Sequence, residues 1–210
     1  MSTKIIAHRG WAKGNGENTI SAFKRASSGD MNGVEFDIRR HGESGEIIVS
    51  HNATVDTGVL TFKEALEYLK RENLELFLEF KEYSDKLFGE VADLLESHGL
   101  KDKSVIFGFW KVASKFPFTE RRGFKLGIIS YPWNIKKDIM RFNPDFIMMG
   151  YTSFLSKVAF RLYWSVFSLS SVFRKYPDKR FVIGVLQSGK EREWILKEEG
   201  LYAVTLDNPL

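Results

Sequence analysis

The sequence predicts an α/β fold, a compact TIM (β/α)8 barrel, and three observations carry that prediction. Nine short apolar runs recur along the 210 residues. Helical patterns separate most of them, and such alternation argues for a parallel sheet. One pair of runs stands too close for a parallel crossover and must form a hairpin; without its return strand eight parallel strands are left, the number that closes a barrel. The chain is shorter than the roughly 250 residues usual for this fold, and an open doubly wound sheet is the competing arrangement.

Taken in order, "KIIAH" at 4–8 is the first strand, and a helix over 18–28 follows it. "GVEFDI" (33–38) and "EIIVSH" (46–51) are joined only by "RRHGESG" and make the antiparallel β-hairpin. A helix over 61–72 opens on a capping box from Thr61 to Glu64, each residue satisfying a backbone donor of the other. After "LELFLEF" (74–80), a helix over 84–97 stops at Gly99. "SVIFGF" (104–109), "KLGIIS" (125–130), "DFIMMG" (145–150), "RFVIGVL" (180–186) and "YAVTL" (202–206) supply the other strands. Helices are expected over 134–141, 153–175 and 188–199, the last opening on a capping box from Ser188 to Glu191.

At 43% hydrophobic and 14% aromatic content, residues 1–210 suffice for one domain with one large core. The chain has no cysteine, which excludes disulfides, thiolate nucleophiles and Cys-ligated zinc or iron–sulfur centres. That absence and an N-terminus without room for a secretion signal lead us to expect a cytoplasmic protein. The net charge of +4 is scattered in pairs such as Arg39/Arg40, Arg121/Arg122 and Lys136/Lys137. This suits a small anionic substrate or an anionic membrane surface and is too diffuse for nucleic acid; solvated surface charge is the plainer reading.

Barrel chemistry sits at the C-terminal ends of the strands, where the polar residues of this chain collect. His8 closes the first run. Glu35 and Asp37 share one strand face, with Val34, Phe36 and Ile38 on the other, and Glu79 shares a face with Lys81. If the hairpin turns about Ser44, Asp37 lies opposite His51. Three carboxylates with no thiol among them suit a hard divalent cation, magnesium, calcium or manganese; ion pairing with Lys81 and Arg9 is the alternative use. Two histidines facing one acidic site can divide proton transfer, one accepting and one donating. A guanidinium such as that of Arg9 can grip two anionic oxygens at once. Together these groups describe a site for phosphate-ester cleavage.

The motifs "HRG" (8–10), "ENT" (17–19), "EFD" (35–37), "IIVSH" ending at His51, "LEFK" (78–81) and "LDNP" (206–209) resemble those of the glycerophosphodiester phosphodiesterases, among the phospholipase C-like TIM-barrel phosphodiesterases. The resemblance implies that Glu35, Asp37 and Glu79 bind a divalent cation and that His8 and His51 are the general acid and base. It further implies that Arg9 and Lys81 contact phosphate, that Asn18 completes the site, and that the reaction yields glycerol phosphate and an alcohol. The chain departs from the family pattern at several places. Asn52 stands where the family has Asp after the histidine, leaving Asp56 as the nearest substitute. The insertion after His51 is reduced to "NATVDTGVLTFKEALEYL", which implies an open pocket. Val185-Leu186-Gln187-Ser188 replaces an aromatic strand end, and Leu206-Asp207 replaces a Thr-Asp pair.

Two motifs carry less. Arg40-His41-Gly42 falls in the hairpin turn and reads as solvated turn chemistry, and "GWAKGNGE" (10–17) lacks the ending of a nucleotide-binding loop and reads as a rim. In the helix over 153–175, Leu155, Val158, Ala159, Leu162, Val166, Leu169 and Phe173 form an aliphatic stripe expected to face the barrel. Phe160, Trp164 and Phe167 then fall outside, to be covered by the same chain, by a homodimer partner or by a peripheral membrane contact. Two alternatives to a soluble diesterase are therefore a lysophospholipase D-like enzyme at a membrane surface and a catalytically decayed barrel that binds membrane or partner.

Overall fold

In a computed structural model, strand β1 (Lys4–Ala7) pairs in parallel with both β2 (Gly33–Arg40) and the last strand, β9 (Leu201–Leu206), and this double pairing closes the sheet. The structure describes residues 2–11, 16–29, 31–53, 58–151, 154–167, 169–186 and 193–207. Around the barrel from β9 run β8 (Arg180–Leu186), β7 (Phe146–Met149), β6 (Lys125–Ile129), β5 (Ser104–Phe107) and β4 (Glu75–Phe80), which returns to β2. The eight strands are all parallel, as the alternating pattern predicted.

The return strand β3 (Ile47–Val49) is antiparallel to β2, with Ile38 opposite Val49 and Arg40 opposite Ile47. The register differs by one residue from the expected one. His41 N–H donates to Glu46 O, so the turn centres between Glu43 and Ser44, and Asp37 O accepts from Ser50 N–H at 3.1 Å. Asp37 therefore lies opposite Ser50 and His51 falls just beyond the ladder, because moving the turn by half a residue moves every cross-strand partner by one.

Pleat alternation sorts each strand into two layers. Ile6, Phe77, Val105, Phe107, Phe146, Met148, Val182 and Ala203 fill the barrel interior, where Phe77 and Phe146 meet edge to face at 5.8 Å. Val34, Phe36, Ile38, Leu76, Leu78 and Phe80 point out beneath the helices. At the N-terminal end, Lys4 binds Glu75 and Tyr202, and the Arg180 guanidinium lies 5.0 Å over the Tyr202 ring. That end is sealed; the C-terminal end is left for the site.

Helix α1 (Ile20–Ser28) starts on Thr19, whose side chain accepts from Ala22 N–H. Helix α2 (Phe62–Leu69) carries the expected Thr61–Glu64 capping box, and α3 (Asp85–Ser97) ends just before Gly99. A short α4 (Trp110–Ala113) was not foreseen, and α5 (Ile135–Phe142) follows β6. Of the helix expected over 153–175, the described residues show α6 (Phe154–Phe167) and α7 (Leu169–Lys175). Of the helix expected over 188–199, the described residues show one turn at 193–195. The Ser188–Glu191 capping box, Asp56, Gln187, Asn208, Pro209 and rim residues 12–15 lie outside the described residues, as does the side chain of Leu169.

The faces of α6 are the reverse of those expected. Phe160 (2% exposed) and Trp164 (5%) are buried against the barrel, with Phe173 5.8 Å and Trp194 5.0 Å from the Trp164 ring. Leu155, Val158, Leu162 and Val166 face outward, and of the three outward-assigned aromatics only Phe167 is exposed. Aromatic rings bury more area than aliphatic chains, and the wide gap between α6, α7 and the last strands is filled by the larger groups. The chain itself thus covers Phe160 and Trp164, which removes them as a dimer or membrane contact. No helix among the described residues is long and apolar enough to cross a membrane.

Candidate active site

The first strand ends in a turn that only part of "HRG" can make. Residues His8–Gly10 form a 3-10 turn with Arg9 at φ 48° and Gly10 at φ 77°. A Cβ on Gly10 would sit 2.7 Å from the Phe23 ring and 2.8 Å from Ala22 Cβ, so glycine is required there. The turn aims the Arg9 backbone N–H at Glu35 Oε2, 3.0 Å away, and leaves the His8 ring over the rim.

Glu35 and Asp37 on β2 and Glu79 on β4 point to the same side, and one oxygen from each lies within 4.8 Å of the others. The register explains it: Asp37 and Glu79 are direct partners on adjacent strands. All three are buried. Lys81 Nζ stands 2.7 Å from Asp37 Oδ1 and 2.5 Å from Glu79 Oε1. The Arg9 guanidinium reaches Glu17 Oε2 at 2.6 Å, Asp37 Oδ2 at 3.2 Å and His51 Nδ1 at 2.7 Å. Asn18, at φ 54°, spends both halves of its amide on Asp37, donating to Oδ2 at 2.8 Å and accepting from the backbone N–H at 3.3 Å.

The electrostatics follow from this packing. Burial would raise the Asp37 carboxyl, but the Lys81 and Arg9 cations beside it hold it well below the usual carboxylate range. Burial pushes Glu35 up to about 7, aided by the Asp37 and Glu79 charges and opposed by His8. Lys81 is raised, since Glu79 and Asp37 outweigh its burial. His8 is also raised: burial disfavours its charged form, but Glu35 and a 2.6 Å contact from Nδ1 to Asp207 Oδ1 more than compensate. Glu35 Oε1 is buried with no hydrogen-bond partner among the described residues. An all-oxygen donor set with one acceptor unmatched fits a hard divalent cation.

His8, Arg9, Glu35, His51, Glu79 and Lys81 line one cavity of about 450 Å³; Asn18 and Asp37 stand behind its wall. Both imidazoles face the carboxylates, His8 Nε2 at 3.7 Å from Glu35 Oε2 and His51 Nδ1 at 3.5 Å from Asp37 Oδ1. Arg40 and His41 stay in the hairpin, Arg40 paired with Glu90 and His41 bonded to Ser44, consistent with a turn. Sequence reasoning missed Asp207, which it quoted without a role, and the pairing of Glu17 with Arg9. A carboxylate directly after the strand that neighbours β1 was the available signal. It also missed the opposite wall, where Phe107, Ile129, Tyr131, Met148, Tyr151 and Val182 make an apolar face.

Residues 8–106 match the Glycerophosphoryl diester phosphodiesterase family. A glycerophosphodiester phosphodiesterase of Caldanaerobacter subterraneus subsp. tengcongensis is 46% identical over 56 residues, 27% of this chain and 23% of that relative, so the match spans about a quarter of the relative's length. Among solved structures, an Oleispira antarctica phosphodiesterase in complex with its product sn-glycerol-3-phosphate has a TM-score of 0.76 at 15% identity, covering 99% of this chain and 94% of its own. Glycerophosphodiester phosphodiesterases of Parabacteroides distasonis (0.74, 17% identity, 99% and 94% covered) and Thermotoga maritima (0.69, 19%, 99% and 95%) share the fold as well. Residues 8–106 thus resemble the glycerophosphodiester phosphodiesterases in sequence, and solved structures of such enzymes share the fold over 99% of this chain.

Proposed function

We propose that the protein is a metal-dependent phosphodiesterase that hydrolyses glycerophosphodiesters to glycerol phosphate and an alcohol. The observation that carries the proposal is the buried Glu35–Asp37–Glu79 cluster, with an unmatched Glu35 oxygen, lying between His8 and His51 at one cavity. The sn-glycerol-3-phosphate bound to the Oleispira structure supports the same product class.

Glu35, Asp37 and Glu79 would hold magnesium, calcium or manganese, and such a cation offsets negative charge on phosphoryl oxygens. The histidines are held differently. Asp207 fixes the Nδ1 side of His8, so its Nε2 faces the cavity as the proton acceptor for an attacking hydroxyl. A guanidinium can only donate, so His51 Nδ1 accepts from Arg9 and its Nε2 keeps a proton for the leaving oxygen. Arg9 and Lys81 put positive charge on the cavity wall for an anionic ester. Asn18, expected at the substrate, is instead a positioning residue for Asp37, because both its amide groups are already engaged.

The test is a panel of glycerophosphocholine, glycerophosphoglycerol, a lysophospholipid and a chromogenic diester, assayed with EDTA and with cation add-back. The expected result is turnover of a glycerophosphodiester that EDTA abolishes and a divalent cation restores. Chelator-insensitive turnover, or hydrolysis of the chromogenic compound alone, would overturn the proposal.

A further inference from the structure

We infer that the aromatic and cationic surface formed by the β6–α5 connection, α5 and α6 docks on an anionic lipid surface, a reading independent of the proposed chemistry. Helix α6 turns Leu155 (78% exposed), Leu162 (62%) and Val166 (71%) to one outer face. Trp133, 56% exposed, stacks on Tyr131 at 5.0 Å and 2°, and meets Tyr163 of α6 at 6.3 Å; Tyr163 in turn contacts Phe167 at 4.6 Å. The rings of Tyr131, Trp133, Tyr163 and Phe167 therefore form one continuous run beside the exposed aliphatic face of α6, and the run begins at Tyr131, which also lines the cavity.

Charge selects the occupant. Between residues 131 and 167 basic residues outnumber acidic ones five to two. Of the two acids, Asp138 is buried on Ser130 and Asp145 is paired with Arg121. On the α3 side, by contrast, cations meet acids, as Arg122 does Asp93 and Glu96. Lys136, Lys137 and Arg141 make no ion pair among the described residues, and with Trp133 and Met140 they bound a groove of about 500 Å³. Three cations beside an indole and a thioether suit a phosphate headgroup joined to an apolar tail, and Trp and Tyr favour the boundary between water and hydrocarbon. A second copy of this chain would set the same cations against one another.

Full-length protein in EDTA, mixed with phosphatidylcholine vesicles with or without about 30% phosphatidylglycerol, is followed by flotation and by tryptophan emission. Binding with a blue shift is expected on the anionic vesicles, weakened by salt and by about fivefold for each cation lost in Lys136→Gln and Lys137→Gln. Leu162→Asp/Val166→Asp should abolish it while leaving unchanged the melting temperature and, with a divalent cation added back, the turnover of a soluble diester. Equal binding to both vesicle types, no binding, or a concentration-dependent dimer dissolved by Leu162→Asp would overturn the inference.

Discussion

The Nδ1 atom of His8 lies 2.6 Å from Oδ1 of Asp207, joining the residue after the first strand to the residue after the last. Parallel pairing of Ala7 with Leu206 places the two side by side across the closing seam of the barrel. The carboxylate fixes the imidazole tautomer and raises its proton affinity.

Removing His8 as His8→Ala should lower kcat/KM by about 10²- to 10⁴-fold with folding retained, the usual range for a lost acid–base group. Asp207→Asn should cost about 10- to 100-fold. Because Asp207 raises His8, its loss should also move the acidic limb of the kcat/KM profile to lower pH. A pH profile unchanged in Asp207→Asn would break the assignment.

Glu35 gives a pH prediction. Its folded pKa of about 7 lies above the ordinary 4.5. Its contribution to stability is complete below pH 4.5 and lost as pH rises through about 7, on the order of 3 kcal/mol. In EDTA the melting temperature should fall across that window in the wild type, with this component missing from Glu35→Gln. Magnesium or calcium competes with the proton on Glu35, so the cation-induced rise in melting temperature should grow over the same window and vanish in the variant. Identical pH slopes for the two proteins would contradict this.

Lys81 is the internal counterion of the cluster. Lys81→Met leaves Asp37 and Glu79 facing each other while buried, and should destabilise the cation-free protein by about 3 to 5 kcal/mol in urea. A divalent cation restores positive charge, so the variant should gain more from magnesium or calcium than the wild type does. No larger gain would show that Lys81 is not the charge balancing these acids.

The two sides of α6 should differ sharply. Trp164→Ala removes a ring packed on Phe160, Phe173 and Trp194 and should cost about 3 to 5 kcal/mol. Leu162→Ala, on the exposed side, should change stability by less than about 0.5 kcal/mol. Urea midpoints decide it; equal losses would restore the orientation first expected from the sequence.

The acidic cluster was legible because it needs only local geometry. Glu35 and Asp37 are two apart on a strand, Glu79 and Lys81 are two apart on another, and the strand end is where a parallel barrel collects its chemistry. The His8–Asp207 contact depends on which strands meet at closure, and no local pattern reports that. The offset of His51 turned on half a residue in the hairpin turn. The reading of α6 failed for another reason: both of its sides are apolar, and helical period alone cannot say which one the barrel will take.

The barrel is divided along its length. In spatial order β9, β1, β2 and β4, with the return strand β3 and the turns that leave them, contribute the ionisable side chains of the cavity apart from the tyrosines, and β5, β6, β7 and β8 contribute its apolar ones apart from Phe77. Reactivity and selectivity can therefore be altered separately. Under the proposed function, exchanging Phe107, Ile129 or Met148 for other sizes should retune which alcohol fits, with no change to the wall opposite that carries His8 and His51, so this half of the cylinder is the natural place to start a specificity library.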